Sequence, residues 1–143
     1  DLRAGRRVYP DSTTQVLHFW VDQNQNSVEE LTEQVCYVVR TIDGETDRWR
    51  LVRWTVDAAA CTTSTVPSSG RTIAATLRNP TSPTVAPDVF AFDCNGSSPC
   101  PPTDPTSSDV VREVTIDFQL DVRTDAGPDT LPMTATVRLR NVA

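Results

Sequence analysis

From Glu113 to Arg123 apolar and polar residues alternate without a break, with Val114, Ile116, Phe118, Leu120 and Val122 on one side and Glu113, Thr115, Asp117, Gln119 and Asp121 on the other. A repeat of two is that of an extended chain with one face buried, so the segment predicts an amphipathic antiparallel strand. After a turn over Thr124 to Thr130 that contains Gly127-Pro128, the pattern returns with Met133, Ala135, Val137 and Leu139 set against Thr134, Thr136, Arg138 and Arg140. The C-terminal part is therefore expected to be a long β-hairpin.

Shorter runs of the same kind precede it. Val16 to Asp22 is β-branched and aromatic and places Leu17, Phe19 and Val21 on one face. Val35 to Ile42 and Trp49 to Val56 flank the turn-rich stretch Asp43-Gly44-Glu45-Thr46-Asp47 and should pair antiparallel. Arg71 to Leu77 puts Ile73, Ala75 and Leu77 on one side and stops at Asn79-Pro80, and Val89 to Asp93 forms another short strand. Gln23 to Ser27 is a polar loop, and Ser27 with Glu30 has the spacing of a capping box, which predicts a short helical turn before the next strand. Residues 58 to 70, rich in Thr and Ser, read as a surface loop, and residues 99 to 109, dense in Pro, Ser, Thr and Asp, as a mobile excursion.

At the other end, residues 1 to 8 carry helix formers with Gly5 and Pro10 as stop signals and Arg6 and Arg7 suited to a helix C-terminus. They read as the last turns of a helix. The fold expected is α+β but mostly β, a single domain over residues 1 to 143. In it a truncated N-terminal helix packs on an antiparallel sheet of about seven strands that ends in the long hairpin.

Composition narrows what such a domain does. The net charge of -6 disfavours nucleic acid and anionic membrane surfaces as partners. All 13 basic residues are Arg, which closes every mechanism that needs a lysine amine. The one histidine, His18, lies inside an alternating strand, so Ser-His-Asp and Cys-His arrangements have little support and no catalytic residue is assigned. Carboxylates at Asp43, Glu45, Asp47, Asp117 and Asp121 fall on turns and on the wet strand face. Asp43 to Asp47 and Asp121 to Asp129 offer oxygen ligands but lack the twelve-residue calcium-loop pattern. No metal or cofactor is expected. Trp20, Trp49 and Trp54 would form a sugar platform if exposed, and core or interface filler otherwise. Trp49 and Trp54, five apart on one strand, face opposite sides.

Cys36, Cys61, Cys94 and Cys100 form an even set without C-x-x-C spacing, which disfavours zinc. Cys94 and Cys100 bracket Asn-Gly-Ser-Ser-Pro, and a disulfide between them is the preferred reading. It would leave Cys36 with Cys61, unless Cys36 is a buried free thiol, and it implies maturation outside the cytoplasm.

Several strings, taken in order, resemble the prepilin-type (type IV pilin-like) family, and within it the PilW-like minor pilins and the J-type pseudopilins of type II secretion. They are Asp-Leu-Arg-Ala-Gly-Arg at residues 1 to 6, Leu-His-Phe-Trp-Val-Asp at 17 to 22, Glu33-Gln-Val-Cys-Tyr37, Leu51-Val-Arg53 and Thr136-Val-Arg-Leu-Arg-Asn141. The family's apolar N-terminal helix with its processing site is not in this sequence. The resemblance implies an ectodomain of a filament subunit, anchored in the inner membrane before assembly and displayed at the cell surface, with other pilin subunits as partners and a surface or secreted target as a further one. It would prime assembly or sit at the tip, and Leu2, Arg3, Arg6 and Arg7 at the helix end are the assembly candidates. A secreted β-sandwich for adhesion or carbohydrate binding is the rival expectation.

Overall fold

The computed structural model describes residues 5–26, 28–43, 45, 48–56, 61–62, 66–79, 82, 84–94, 100, 111–124 and 127–139. Eight strands form one antiparallel sheet: β1 Gly5–Val8, β2 Val16–Val21, β3 Gln34–Thr41, β4 Trp49–Thr55, β5 Arg71–Arg78, β6 Phe90–Cys94, β7 Val111–Thr124 and β8 Gly127–Arg138. Consecutive strands from β1 to β5 are neighbours. β7 then pairs with β8 from Glu113↔Arg138 to Thr124↔Gly127 along one edge. Its other edge is shared end to end, β6 beside residues 111 to 116 and β5 at Leu120 and Gln119.

The sheet does not stay flat. Val89 and Phe90 donate their backbone N–H groups to Thr14 O at 2.8 and 2.9 Å, so the start of β6 reaches the approach to β2 and the sheet curls into a half-barrel. The rival expectation of two sheets closed face to face is not met, because all eight strands belong to one sheet.

The expected N-terminal helix packed on the sheet is also corrected. Among the described residues there is no α-helix, only a 3₁₀ turn at Leu31–Glu33, and Gly5–Val8 is an edge strand whose partners are Val21, Trp20 and Phe19. Tertiary pairing outweighs the local helix-end signals of Arg6 and Arg7: Val8 fits the core beside Phe19, and backbone hydrogen bonds to β2 replace those of a helical turn. Leu2 and Arg3 lie outside the described residues, as does the predicted excursion at 99 to 109 apart from Cys100.

Alternation sorts the apolar side chains into two cores. Leu17, Phe19 and Val21 of β2, Val35 and Val39 of β3, and Trp49 and Leu51 of β4 face the concave side, joined by Leu77, Phe90 and Val114. Val16, Cys36, Val38, Val52 and Trp54 face the convex side, where Val56, Cys61 and Val66 cover them. Trp49 and Trp54 do point to opposite faces, and both are buried because each face has its own core. The segment read as a surface loop thus includes a lid, tied to β3 by the Cys36–Cys61 disulfide. Gly70 lets it come close: a Cβ there would lie 2.5 Å from Val66 Cγ1 and 3.2 Å from Val52 Cγ1. The second disulfide, Cys94–Cys100, joins residues whose Cα atoms are 5.9 Å apart.

Candidate functional site

The concave face is filled at one end and open at the other. Cross-strand pairing puts Ile116, Phe118 and Leu120 of β7 on the same face as Ala135, Met133 and Leu131 of β8. The sequence marked Ile116, Phe118, Leu120, Met133 and Ala135 as inward, yet Met133 is 44% exposed and Ile116, Phe118 and Leu120 are only half-buried; Leu131, next along the same face, is 49% exposed. Ile116, Phe118, Leu120, Met133 and Ala135, together with Tyr37, Ile73 and Phe90, line a trough of about 560 Å³.

The opening has a local cause in β5. This strand meets β7 only at Leu77↔Leu120 and Arg78↔Gln119. Next to that contact Thr76 has φ of 59°, a left-handed conformation unusual for a β-branched residue, and its hydroxyl donates to Ala75 O at 2.7 Å and Asp121 O at 3.2 Å. Register shifts on the β4 side, between Trp49 and Leu51 and again before Val52, bend the strand further. The predicted common face of Ile73, Ala75 and Leu77 is therefore broken: Leu77 is buried while Ile73, 54% exposed, stands on the trough wall.

Ion pairs gather around Asp121 and the β3–β4 connection. The Asp121 carboxylate has Arg48 at 3.8 Å and Arg78 at 3.9 Å, Arg48 also reaches Glu45 at 3.3 Å, and Arg50 faces Asp43 at 3.8 Å. These ion pairs engage Asp43, Glu45 and Asp121 of the two turn regions considered for calcium; Asp47 and Asp125 lie outside the described residues. Arg53 lies over the Tyr37 ring at 6.0 Å.

A second polar constellation surrounds His18. Its Nδ1 is 2.9 Å from both carboxylate oxygens of Asp11, its Nε2 is 3.2 Å from Gln34 Oε1, and its ring stacks on Tyr9 at 4.1 Å. Ser12 is near, but its hydroxyl donates to His18 O at 3.1 Å and accepts from His18 N at 3.0 Å, so it engages the backbone and not the imidazole. Burial, then the hydrogen bond to Glu29, push the Tyr9 phenol well above its ordinary pKa. Glu29 also takes Arg7 at 3.2 Å, and the Arg7 guanidinium lies over the Tyr9 ring at 5.6 Å; Arg6 lies in β1.

The β2–β3 connection is ordered by Glu33. Its Oε1 accepts from the backbone N–H groups of Gln23 and Asn24 at 2.9 and 3.1 Å and its Oε2 from Trp20 Nε1 at 3.1 Å. The Trp20 hydrogen bond foremost, with the two backbone donors, holds the carboxyl below the usual range. Trp20 is half-buried and committed to Glu33, and Trp49 and Trp54 are in the cores, so the three do not form an exposed platform. Comparison with family models, with curated proteins and with solved structures returned no match to this chain.

Proposed function

We propose that the chain is a non-catalytic subunit of an extracytoplasmic filament, a minor pilin or pseudopilin of a type IV pilus or related secretion system, that buries its concave trough against a neighbouring subunit in assembly priming or at the tip. The observation that carries the reading is the trough. A sheet face patterned for burial over two long strands is left uncovered, and a contiguous apolar surface of this kind marks an interaction site. The occupant is an apolar segment of a neighbouring pilin-like subunit that packs side chains, and not an added strand. Pro128 and Pro132 in the edge strand β8 remove backbone donors that strand addition would need.

Other features agree with it. Two disulfides suit an oxidising compartment outside the cytoplasm. Of the five strings that carry the resemblance, those at 17–22, 33–37, 51–53 and 136–141 start on or beside β2, β3, β4 and β8, while the one at 1–6 runs into β1 and not a helix. In this reading an apolar helix of about 20 residues, encoded before Asp1, holds the subunit in the inner membrane until assembly.

Incorporation of the full-length gene product into sheared surface filaments tests the proposal. The native protein is expected in the filament fraction. The Met133→Asp variant should fold with stability within about 0.5 kcal/mol of the native protein, its site being half-exposed, and be missing from that fraction. Native protein found only as free monomer, or a variant that assembles normally, would overturn the reading.

A further inference from the structure

Along the β3–β4 ladder the residues that face the convex side come in opposed pairs: Cys36↔Trp54, then Val38↔Val52, then Arg40↔Arg50. One step of two residues takes this face from a buried apolar pair to a pair of arginines. Like charges directly opposite on antiparallel strands repel. Neither arginine is neutralised at contact distance. Among the described residues Arg40 has no ion pair and no side-chain hydrogen bond. Arg50 has only Asp43, at 3.8 Å and with that carboxylate 90% exposed, and the Arg50 Nε is buried with no hydrogen-bond partner. A buried donor without an acceptor is costly, and the fold keeps one here beside a second cation.

The positive charge continues across the sheet. Arg48, two residues before Arg50, and Arg78 on β5 both reach Asp121 Oδ2, at 3.8 and 3.9 Å, and Arg48 also holds Glu45 at 3.3 Å. Among the described residues this stretch sets Arg40, Arg48, Arg50 and Arg78 against Asp43, Glu45 and Asp121. On a molecule of net charge -6 it is a locally positive surface, where an anion is attracted that most of the surface repels.

We infer that the convex face at Arg40 and Arg50 is a binding site for a single phosphate or sulfate group. The two guanidinium forks come from adjacent strands, so they approach a ligand from two sides. A carboxylate has two oxygens and is matched by one fork, whereas a phosphate or sulfate group offers a third oxygen and serves both forks at once. The group is single because a polyanion would run past the patch onto a surface of the same sign. Asp43, exposed and at long range, is the carboxylate such an anion displaces from Arg50, while Arg48 keeps Glu45 and Asp121. The site lies on the face opposite the trough and does not depend on what occupies the trough.

An NMR titration that follows the arginine Nε–H signals of the native protein, alongside thermal melts, tests the site. The probes are sodium phosphate, sodium sulfate, a hexose monophosphate, the unphosphorylated hexose, and sodium chloride at matched ionic strength. Phosphate and sulfate are expected to shift the Arg40 and Arg50 signals saturably and to raise Tm, since a ligand that binds only the folded state stabilises it. Chloride and the plain hexose should do neither. Arg40→Gln and Arg50→Gln should each weaken phosphate binding about tenfold or more. Arg112→Gln, at an exposed position on β7, should bind as the native protein does. Without phosphate, Arg40→Gln should melt no lower than the native protein, because it relieves the repulsion across the ladder, so its loss of binding is not a loss of fold. A hexose monophosphate that binds tighter than inorganic phosphate assigns the site to an esterified group, and equal or weaker binding assigns it to the free ion. No saturable shift at Arg40 or Arg50, a response to chloride equal to that to phosphate, or an Arg112→Gln loss as large as that of Arg50→Gln would overturn the inference.

Discussion

Glu33 condenses several roles into one side chain. It is buried, it satisfies two backbone donors of the loop after β2, and it fixes the Trp20 indole. Those donors favour its charged form and lower its pKa in the fold. A carboxylate whose folded pKa lies below its unfolded value of about 4.3 contributes stability that is complete above that value and is lost as pH falls through the folded pKa. Melts between neutral and acid pH should therefore show Glu33→Gln with a lower Tm at pH 7 and a flatter acid limb than the native protein, the two curves converging in acid. A parallel offset at all pH values would refute this origin of the acid sensitivity. Legibility at this scale was uneven. The alternation named Leu17, Phe19 and Val21 as a core face, and they are one. Ser27 with Glu30 predicted a short helical turn before the next strand, and a 3₁₀ turn stands at Leu31–Glu33, with Ser27 itself outside the described residues. Glu30 in fact accepts from two asparagine side chains.

Among elements, the lid over the convex face depends on its tie to β3. The Cys36–Cys61 disulfide closes a separation of 25 residues and Cys94–Cys100 one of 6. On the chain-entropy account the first contributes about 3.5 kcal/mol and the second about 2 kcal/mol. Losing the first also uncovers Val52 and Trp54, which the second does not touch. Urea unfolding should show Cys36→Ala/Cys61→Ala destabilised by more than Cys94→Ala/Cys100→Ala, with a larger increase in tryptophan exposure. The reverse order would contradict the convex core. Strands β2, β3, β4 and the β7–β8 hairpin were readable because each has a periodic face and turn residues at its ends. β1 was not: four residues carry too short a pattern, and helix-end signals at Gly5, Arg6, Arg7 and Pro10 equally suit a strand that ends in a turn. The bend in β5 was hidden too, since nothing in Ala-Ala-Thr-Leu announces a left-handed Thr76.

For the whole molecule, the alternation of β7 and β8 correctly predicted an inner face but not that much of it would remain uncovered. Whether an inward-patterned face is filled depends on what lies across from it, which strand periodicity does not encode. The predicted helix would have covered it, and the chain instead spends those residues on an edge strand. What remains is a curled sheet with a finished core at the β2–β4 end and an open apolar trough at the β5–β8 end. The trough contains the chain's single methionine, Met133, on its exposed wall, and thioether oxidation depends on access to the sulfur. Mass-spectrometric measurement of peroxide oxidation at Met133, in the isolated protein and in assembled filaments, tests the account most directly. The predicted result is rapid oxidation of the free protein and strong protection in the filament. Equal rates in both states, or a methionine already protected in the isolated protein, would contradict it.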